Sequence, residues 1–353
     1  MEPTNLEHLA RQFPKHTSPI ETIKPYPLPP WWSPPYETEI QGDKKSAKLK
    51  HNATYHDENT LTIYTDGSGI EGHVGAAAYS PKTSQTHQQY LGSDEEHNIY
   101  SAEVTAFELA AGIALDSPLS YAKCVIYADS QSAIQGINNP NKQSGQRILI
   151  SAIQKLETLI STRHMAIEIK WVPGHRGIEG NEKADEAAKE AANSGGTDIN
   201  IPRTIHKPLK AARSVNIKRE ITHDWNTAWQ KHENAKQLRR ITSKPNTARG
   251  TNLYKSVPRH QASQLARLRT GHCLLNQYLH RFGHEESPLC ECGSGAIENV
   301  QYYLLYCPRF DRQRAELTKD VGVGGLWIEK LLGYPRMIGK TLKYVEETKR
   351  FPF

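Results

Sequence analysis

The sequence predicts an α/β layer fold on a mixed five-stranded sheet, followed by a smaller, mostly helical region. Three observations carry this prediction. Between residues 61 and 193 the elements run in the order β-β-β-α-β-α-α-β-α, the pattern of a sheet with helices packed against it. The first three strands are joined by short connections, which fit an antiparallel meander. The fourth strand, "KCVIYAD", is nearly all apolar, as a strand covered on both faces needs to be.

Residues 1–58 read as an irregular lead-in. "KPYPLPPWWSPP" holds six prolines in twelve residues, which favours extended, polyproline-like backbone acting as a linker or a strap. Trp31 and Trp32 within it are expected to dock on a surface. From Leu61, "LTIYTD" alternates and is rich in β-formers, so it reads as a strand. "HVGAAAYS" and "QTHQQYLG" are two more, joined by the turn-forming "PKTS". "YSAEVTAFELAAGIAL" is a helix with Ser101 as its expected cap. "KCVIYAD" follows, then the short helix "SQSAIQGI" and the breaker "NNPNKQSG". "QRILISAIQKLETLI" carries apolar residues at amphipathic-helix spacing. "MAIEIKWVP" is the fifth strand, and "GNEKADEAAKEAAN" is a closing helix stopped by "SGG". The expected divisions of the chain are 1–58 for the lead-in, 59–194 for the α/β domain, 195–265 for a basic helical or linker segment, and 266–353 for a cysteine-containing subdomain.

Bulk properties narrow the class. At roughly 100–200 residues per domain, 353 residues suggest two domains plus tails, and a mean hydropathy of −0.67 is polar without being that of a disordered chain. There is no run of about 18 apolar residues, so no membrane span is expected. "MEPTNLEHLARQFPKH" has no apolar core and does not read as a secretory signal. Five cysteines, an odd number, argue against a disulfide scaffold. The expected location is intracellular, in nucleus or cytoplasm, and not secreted. The net charge of +6 hides an uneven distribution. From Thr60 to Asn193 there are 10 Lys+Arg against 16 Asp+Glu; from Arg203 to Arg269 there are 16 against 3. The second block is either a solvated linker or an arm for a polyanion such as nucleic acid. Its Trp225 and Trp229, four apart, read as a packing seam.

Three acids occupy informative places. Asp66 ends the first strand in "YTDGSG", Asp129 ends the fourth in "YADSQS", and Glu103 sits in the first turn of the intervening helix. Parallel neighbouring strands bring both aspartates to one carboxyl edge, where α/β sheets place ligands. Carboxylates crowded together repel and rise in pKa unless a cation lies between them. Such a group is a hard-oxygen site for Mg²⁺ or Mn²⁺, and a pair of ions about 3.5–4 Å apart supports phosphodiester cleavage. Each acid taken alone is also an ordinary strand-end or helix-cap residue. Downstream, "VPGHRGIEGNEKAD" places His175 in a glycine-flanked loop ten residues before Asp185. Spacing alone does not say which of Glu182, Asp185 and Glu186 points inward.

In order and spacing, "TDGSG", "YSAE", "ADSQSAI" and "WVPGHRGIEGNEKAD" resemble type 1 ribonuclease H. More narrowly they resemble the ribonuclease H domain at the C-terminus of fungal non-LTR retrotransposon reverse transcriptase polyproteins. The resemblance covers about residues 59–194. It implies a ribonuclease H-like sheet, and a catalytic set of Asp66, Glu103, Asp129, His175 and Asp185. In that set Asp66, Glu103, Asp129 and Asp185 hold Mg²⁺ (or Mn²⁺), and His175 is a mobile-loop histidine assisting proton transfer or product release. The implied reaction is endonucleolytic hydrolysis of the RNA strand of an RNA–DNA hybrid, leaving 5′-phosphate and 3′-hydroxyl ends. Many relatives carry a basic protruding helix after the third acid. Here the interval holds one amphipathic helix and a Pro/Asn-rich turn, so phosphate contacts are expected from the 203–269 segment or from a partner.

"CECG…YCPRF" in the tail resembles the cysteine/histidine knuckle that ends many such polyproteins, which makes Cys290, Cys292 and Cys307 candidate Zn²⁺ ligands. The knuckle has a histidine five residues before its last cysteine, where this chain has Tyr302; His280, His284 and Cys273 are the candidate substitutes. The chain contains no Asp-Asp dipeptide. It reads as a detached C-terminal piece of a retroelement polyprotein, with any reverse transcriptase supplied separately. The alternative function is a catalytically impaired nucleic-acid-binding remnant; an integrase or exonuclease on the same fold shares the strand-end acids but not the "GHRGIEGNEKAD" loop.

Overall fold

The computed structural model of the chain describes residues 19–54, 57–118, 120–245, 252–255 and 257–351. The reading of the extreme N-terminus as non-secretory lies outside these residues, as does the 246–251 stretch of the basic block. The chain divides at Arg219/Glu220 into two compact units.

In the first unit, strand β1 (Glu37–Glu39) and helix α1 (Lys44–Thr54) precede β2 (Thr60–Ile70), β3 (His73–Ser80) and β4 (Gln85–Ser93). Helix α2 (Ile99–Asp116), β5 (Lys123–Ala128), α3 (Gln131–Asn138), α4 (Gln146–Arg163), β6 (Ala166–Trp171) and α5 (Glu179–Asn193) follow. Helix α6 (Lys210–Lys231) contains the division between the units. The sheet order is β1-β6-β5-β2-β3-β4. The β2–β3–β4 meander is antiparallel, and β2–β5, β5–β6 and β6–β1 are parallel.

The sheet is therefore ribonuclease H-like and mixed as expected, but it has six strands, not five. The sixth comes from the supposed linker. β1 is only "ETE", too short and polar to announce itself, and it forms by adding to the edge of β6 in the register Glu37↔Glu168 to Glu39↔Lys170. The glutamate opposite Glu37 is neutralised by Lys123 at 2.7 Å and Lys170 at 2.6 Å, which removes the like-charge cost of the pairing. The lead-in also docks: Trp32 Nε1 donates to Glu157 Oε1 at 2.9 Å. Trp31 does not; it is 84% exposed.

The apolar alternation of β2, β5 and β6 places Leu61, Ile63, Cys124, Ile126, Ile167 and Ile169 in one core, together with Val104 and Phe107 of α2 and Leu149 and Leu156 of α4. A second cluster, Tyr64, Val125, Tyr127, Val172, Ile178 and Ala184, ties the sheet to α5. The alanine richness of α5 has a steric reason. It lies so close to β3 that a Cβ on Gly75 would fall 2.4 Å from the Ala192 nitrogen. Helix α2 is capped by Asn98, not by Ser101. The Asn98 side chain accepts from the Ser101 amide, and the Ser101 hydroxyl accepts from the Asn98 amide, a reciprocal capping box.

The second unit is helical, with α7 (Lys236–Ile241), α8 (Arg259–Thr270), α9 (Asn276–Arg281), α10 (Val300–Leu305), α11 (Asp311–Val321), α12 (Ile328–Gly333) and α13 (Pro335–Thr348) among its described residues. Its core gathers Leu265, Leu268, Tyr303, Leu304, Leu331 and Tyr344. Only half of the expected tryptophan seam forms: Trp229 Nε1 donates to the Thr242 carbonyl at 3.3 Å, whereas Trp225 is 47% exposed. Among the described residues no helix is long and apolar enough to cross a membrane.

Candidate active site

The parallel half of the sheet ends where the acids begin. β5 pairs with β2 up to Thr65↔Ala128, so Asp66 and Asp129 are the next residues on two adjacent strands. The expectation that Asp66 ends its strand is corrected. β2 runs on to Ile70, paired with β3, so Asp66 sits mid-strand at the point where one neighbour stops. Asp129 leaves β5 directly, and its carbonyl is held by Trp171 Nε1 at 2.9 Å. The main chain then enters α3, whose N-cap Ser130 accepts from the Ala133 amide.

Glu103 arrives from α2, and Gly67 makes this possible. A Cβ on Gly67 would lie 2.5 Å from the Glu103 nitrogen and 2.8 Å from the Ala102 Cβ, so only glycine lets the helix approach β2 this closely. As a result, carboxylate oxygens of Asp66, Glu103 and Asp129 lie within 4.8 Å of one another. Both Asp66 and Glu103 are buried.

Asp185 comes from α5. It lies outside the group formed by Asp66, Glu103 and Asp129, but near enough that its charge raises both Asp66 and Asp129. Glu182 turns back to accept from the Gly177 amide at 3.1 Å, and Glu186 is exposed. Lys189, one turn on, pairs with Asp185 at 2.6 Å. His175 stands exposed on the β6–α5 loop with φ at +54°, and its charge acts on Asp129.

The electrostatics follow from crowding. Burial, then the charges of Asp129 and Asp185, push Asp66 up to about 8. Burial, then the charges of Asp66 and Asp129, hold Glu103 well above the carboxylate range. Burial also raises Asp129, against a hydrogen bond from the Asn181 side chain and the nearby His175 charge. Glu103 Oε2 is buried without a hydrogen-bond partner. Hard oxygen donors, mutual repulsion and an unpartnered buried carboxylate oxygen together fit a divalent cation.

Sequence reasoning missed three contributors. Gly67 is one. Gly174 is the second, in a role other than the loop mobility that the glycines beside His175 suggest: a Cβ there would lie 2.2 Å from Asp129 Oδ2, so glycine is required by close approach to the acid itself. Gly177, by contrast, serves a left-handed turn at φ +69°. Asn181, buried at the start of α5, is the third. A glycine directly after Asp66 was the one available signal; the other two depend on contacts between distant segments.

In the second unit, the Sγ atoms of Cys290, Cys292 and Cys307 also lie within 4.8 Å of one another. Cys290 and Cys307 are 3.6 Å apart, and the Tyr302 hydroxyl is 3.1 Å from Cys292 Sγ. Hydrogen bonding with Ser294, and then with Tyr302, lowers the Cys292 thiol to about 6. His280, His284 and Cys273 are not part of this cluster.

The ribonuclease H family model matches residues 58–193. A ribonuclease H from Photorhabdus laumondii is 35% identical over 146 residues, covering 38% of this chain and 89% of that protein. The Pol polyprotein of equine infectious anemia virus (isolate 1369) is 31% identical over 154 residues, covering 44% of this chain; the chain spans only 12% of the polyprotein's length. Among solved structures, RNase H1 from the halophilic archaeon Halobacterium salinarum is similar with a TM-score of 0.29 and 20% identity, covering 38% of this chain and 98% of that one. Through residues 58–193, the chain belongs to the ribonuclease H family.

Proposed function

We propose that the chain is a retroelement-derived endonuclease that hydrolyses the RNA strand of RNA–DNA hybrids. The observation that carries this is the convergence of carboxylate oxygens of Asp66, Glu103 and Asp129 within 4.8 Å of one another, with Asp185 alongside. In this reading those four acids hold Mg²⁺ or Mn²⁺. Bound there, the metal supplies charge stabilisation at phosphorus and activates water. The chain's own residues do the rest. The Asn181 amide orients Asp129, Gly67 seats Glu103 against β2, and Gly174 lets the loop close over Asp129. His175, exposed and within electrostatic reach of Asp129, carries the proton that the leaving 3′ oxygen takes. Water adds to phosphorus and the P–O3′ bond breaks, leaving a 5′-phosphate. A hybrid is read through its backbone and 2′-hydroxyls, so sequence preference should be low.

Exposed cations of the 203–269 segment supply phosphate contacts in this proposal, but not all of them are available. Arg213 and Arg269 are buried, and Arg239 bonds the carbonyls of Trp229 and His232. The test is a labelled RNA–DNA hybrid with and without Mg²⁺. Wild type should cut it, Asp129→Asn should not, and His175→Ala should be slower without being inactive. Metal-independent binding with no cleavage by wild type would instead favour a nucleic-acid-binding remnant.

The cysteine cluster supports a second, structural reading. We propose that Cys290, Cys292 and Cys307 hold Zn²⁺; Tyr302 stands where the related knuckle has histidine, and its hydroxyl and that of Ser294 each lie 3.1 Å from Cys292 Sγ. Metal analysis of the purified chain should give about one zinc per molecule, lost on Cys307→Ser; a stoichiometry near zero in wild type sinks the site.

A further inference from the structure

The segment ahead of the family match reads as a linker, yet it is fastened along its length. The buried Glu21 carboxylate accepts from the Gly145 and Lys210 amides, each at 2.8 Å. Lys24 and Gln146 exchange two hydrogen bonds, at 2.7 and 2.9 Å, and the Tyr36 hydroxyl donates to the Ile137 carbonyl at 2.7 Å. β1 then joins the sheet, and Asp43 caps α1 by accepting from the Lys45 and Ser46 amides at 2.9 Å.

Helix α1 is thereby delivered to the β6–α5 loop: it meets the loop itself through Lys48, and through His51 it meets β2 and β5. Among its described residues, Ala47 and His51 are buried. His51 Nε2 meets the Tyr64 hydroxyl at 2.7 Å, with its ring edge-on to Tyr127 at 4.8 Å. Tyr64 is the ring on which the start of α5 rests: a Cβ on Gly180 would lie 2.1 Å from it. Between Ala47 and His51, Lys48 extends along the helix and its ammonium donates to the Arg176 carbonyl. That carbonyl belongs to a left-handed turn, φ +54° at His175 and +69° at Gly177, outside any strand or helix. The Gly177 amide of the same turn donates to Glu182.

We propose that α1 is a brace for the His175 loop, with Lys48 as a positioning residue that fixes the Arg176–Gly177 peptide, one residue beyond His175. The proposal deepens the nuclease reading and rests on it for its catalytic consequence. Its physical content, restraint of the loop, is separate. Residues 19–54 lie outside the stretch matched by the ribonuclease H family, so the brace is supplied by this chain's own N-terminal segment.

The test uses the full chain with Lys48→Met, which keeps the stem and removes the donor, and Lys48→Arg, which restores a donor. Without substrate, trypsin cleavage after Arg176 should be roughly threefold faster in Lys48→Met, the factor that one net hydrogen bond carries. It should return toward wild type in Lys48→Arg. On a hybrid, Lys48→Met should lower kcat about threefold with KM unchanged, and should add nothing in a His175→Ala background, because the two act as one unit. Unchanged proteolysis at Arg176, or a full additive loss with His175→Ala, overturns the brace. A wild type that cuts no hybrid while the proteolysis effect is present refutes the nuclease reading and leaves the brace supported.

Discussion

Asp66→Asn should stabilise the metal-free protein while abolishing hybrid cleavage. Asp66 has its pKa raised from 3.8 to about 8, by burial and by the charges of Asp129 and Asp185. A carboxyl raised on folding gives stability that is complete below the unfolded pKa and is lost as pH rises through the folded one, because the native state binds the extra proton. The window is therefore about 4 to 8. At about 1.4 kcal/mol per pH unit, ionising the site against this shift costs at most about 4 kcal/mol at pH 7. The repulsion is shared by three acids and water can relax it, so roughly 2 kcal/mol is the expected gain for Asp66→Asn. In a unit of this size that is on the order of 4–8 °C in Tm. The assay is thermal unfolding in EDTA between about pH 6.5 and 8, above the range in which a neutral buried histidine such as His97 contributes its own slope. Wild type should weaken with rising pH more steeply than Asp66→Asn, in which burial still raises Glu103 and Asp129. Saturating Mg²⁺ should then reverse the order, since binding at 100 times Kd adds about 2.7 kcal/mol to wild type alone. A variant less stable than wild type in EDTA, or an equal Mg²⁺ shift in both, refutes the reasoning.

Gly174→Ala places a Cβ 2.2 Å from Asp129 Oδ2, so the loop or the acid must move; hybrid cleavage should fall at least about tenfold, since small misplacements at a reacting centre are costly. Circular dichroism should show an intact fold, and wild-type turnover in this variant would contradict the packing. His97 is buried and pushed down to about 4 by desolvation and then by the His206 charge. Its imidazole resonances should stay those of the neutral ring as pH is lowered to about 5. An ordinary titration near pH 6.5 would show that the ring is not held in this environment.

Much of the fold was legible because periodicity reports burial. The alternation of "LTIYTD" and the apolar run of "KCVIYA" gave their strands directly, and the spacing in "QRILISAIQKL" gave α4. What escaped was whatever a partner segment decides. "ETE" is a strand only because β6 offers it an edge. Asn98, not Ser101, caps α2 because the chain enters the helix one turn earlier than its apolar pattern begins. Asp66 and Asp129 could be placed together by strand order alone, whereas Asp185 was separable from Glu182 and Glu186 only through the family resemblance. Asn181 and Gly174 act through contacts across the sheet edge, which no local window records.

The sixth strand has a practical consequence for anyone isolating the domain. A fragment begun at residue 58, where the family match starts, loses β1, the buried Tyr36 and Ala47, and the cover over β6. It leaves the Ile167, Ile169 and Trp171 strand as an open edge with unsatisfied amides and carbonyls, the surface on which sheets from separate molecules join. Such a fragment should aggregate or dimerise edge to edge, and its poor behaviour would say nothing about the competence of the acids. A start near residue 19 keeps the edge closed.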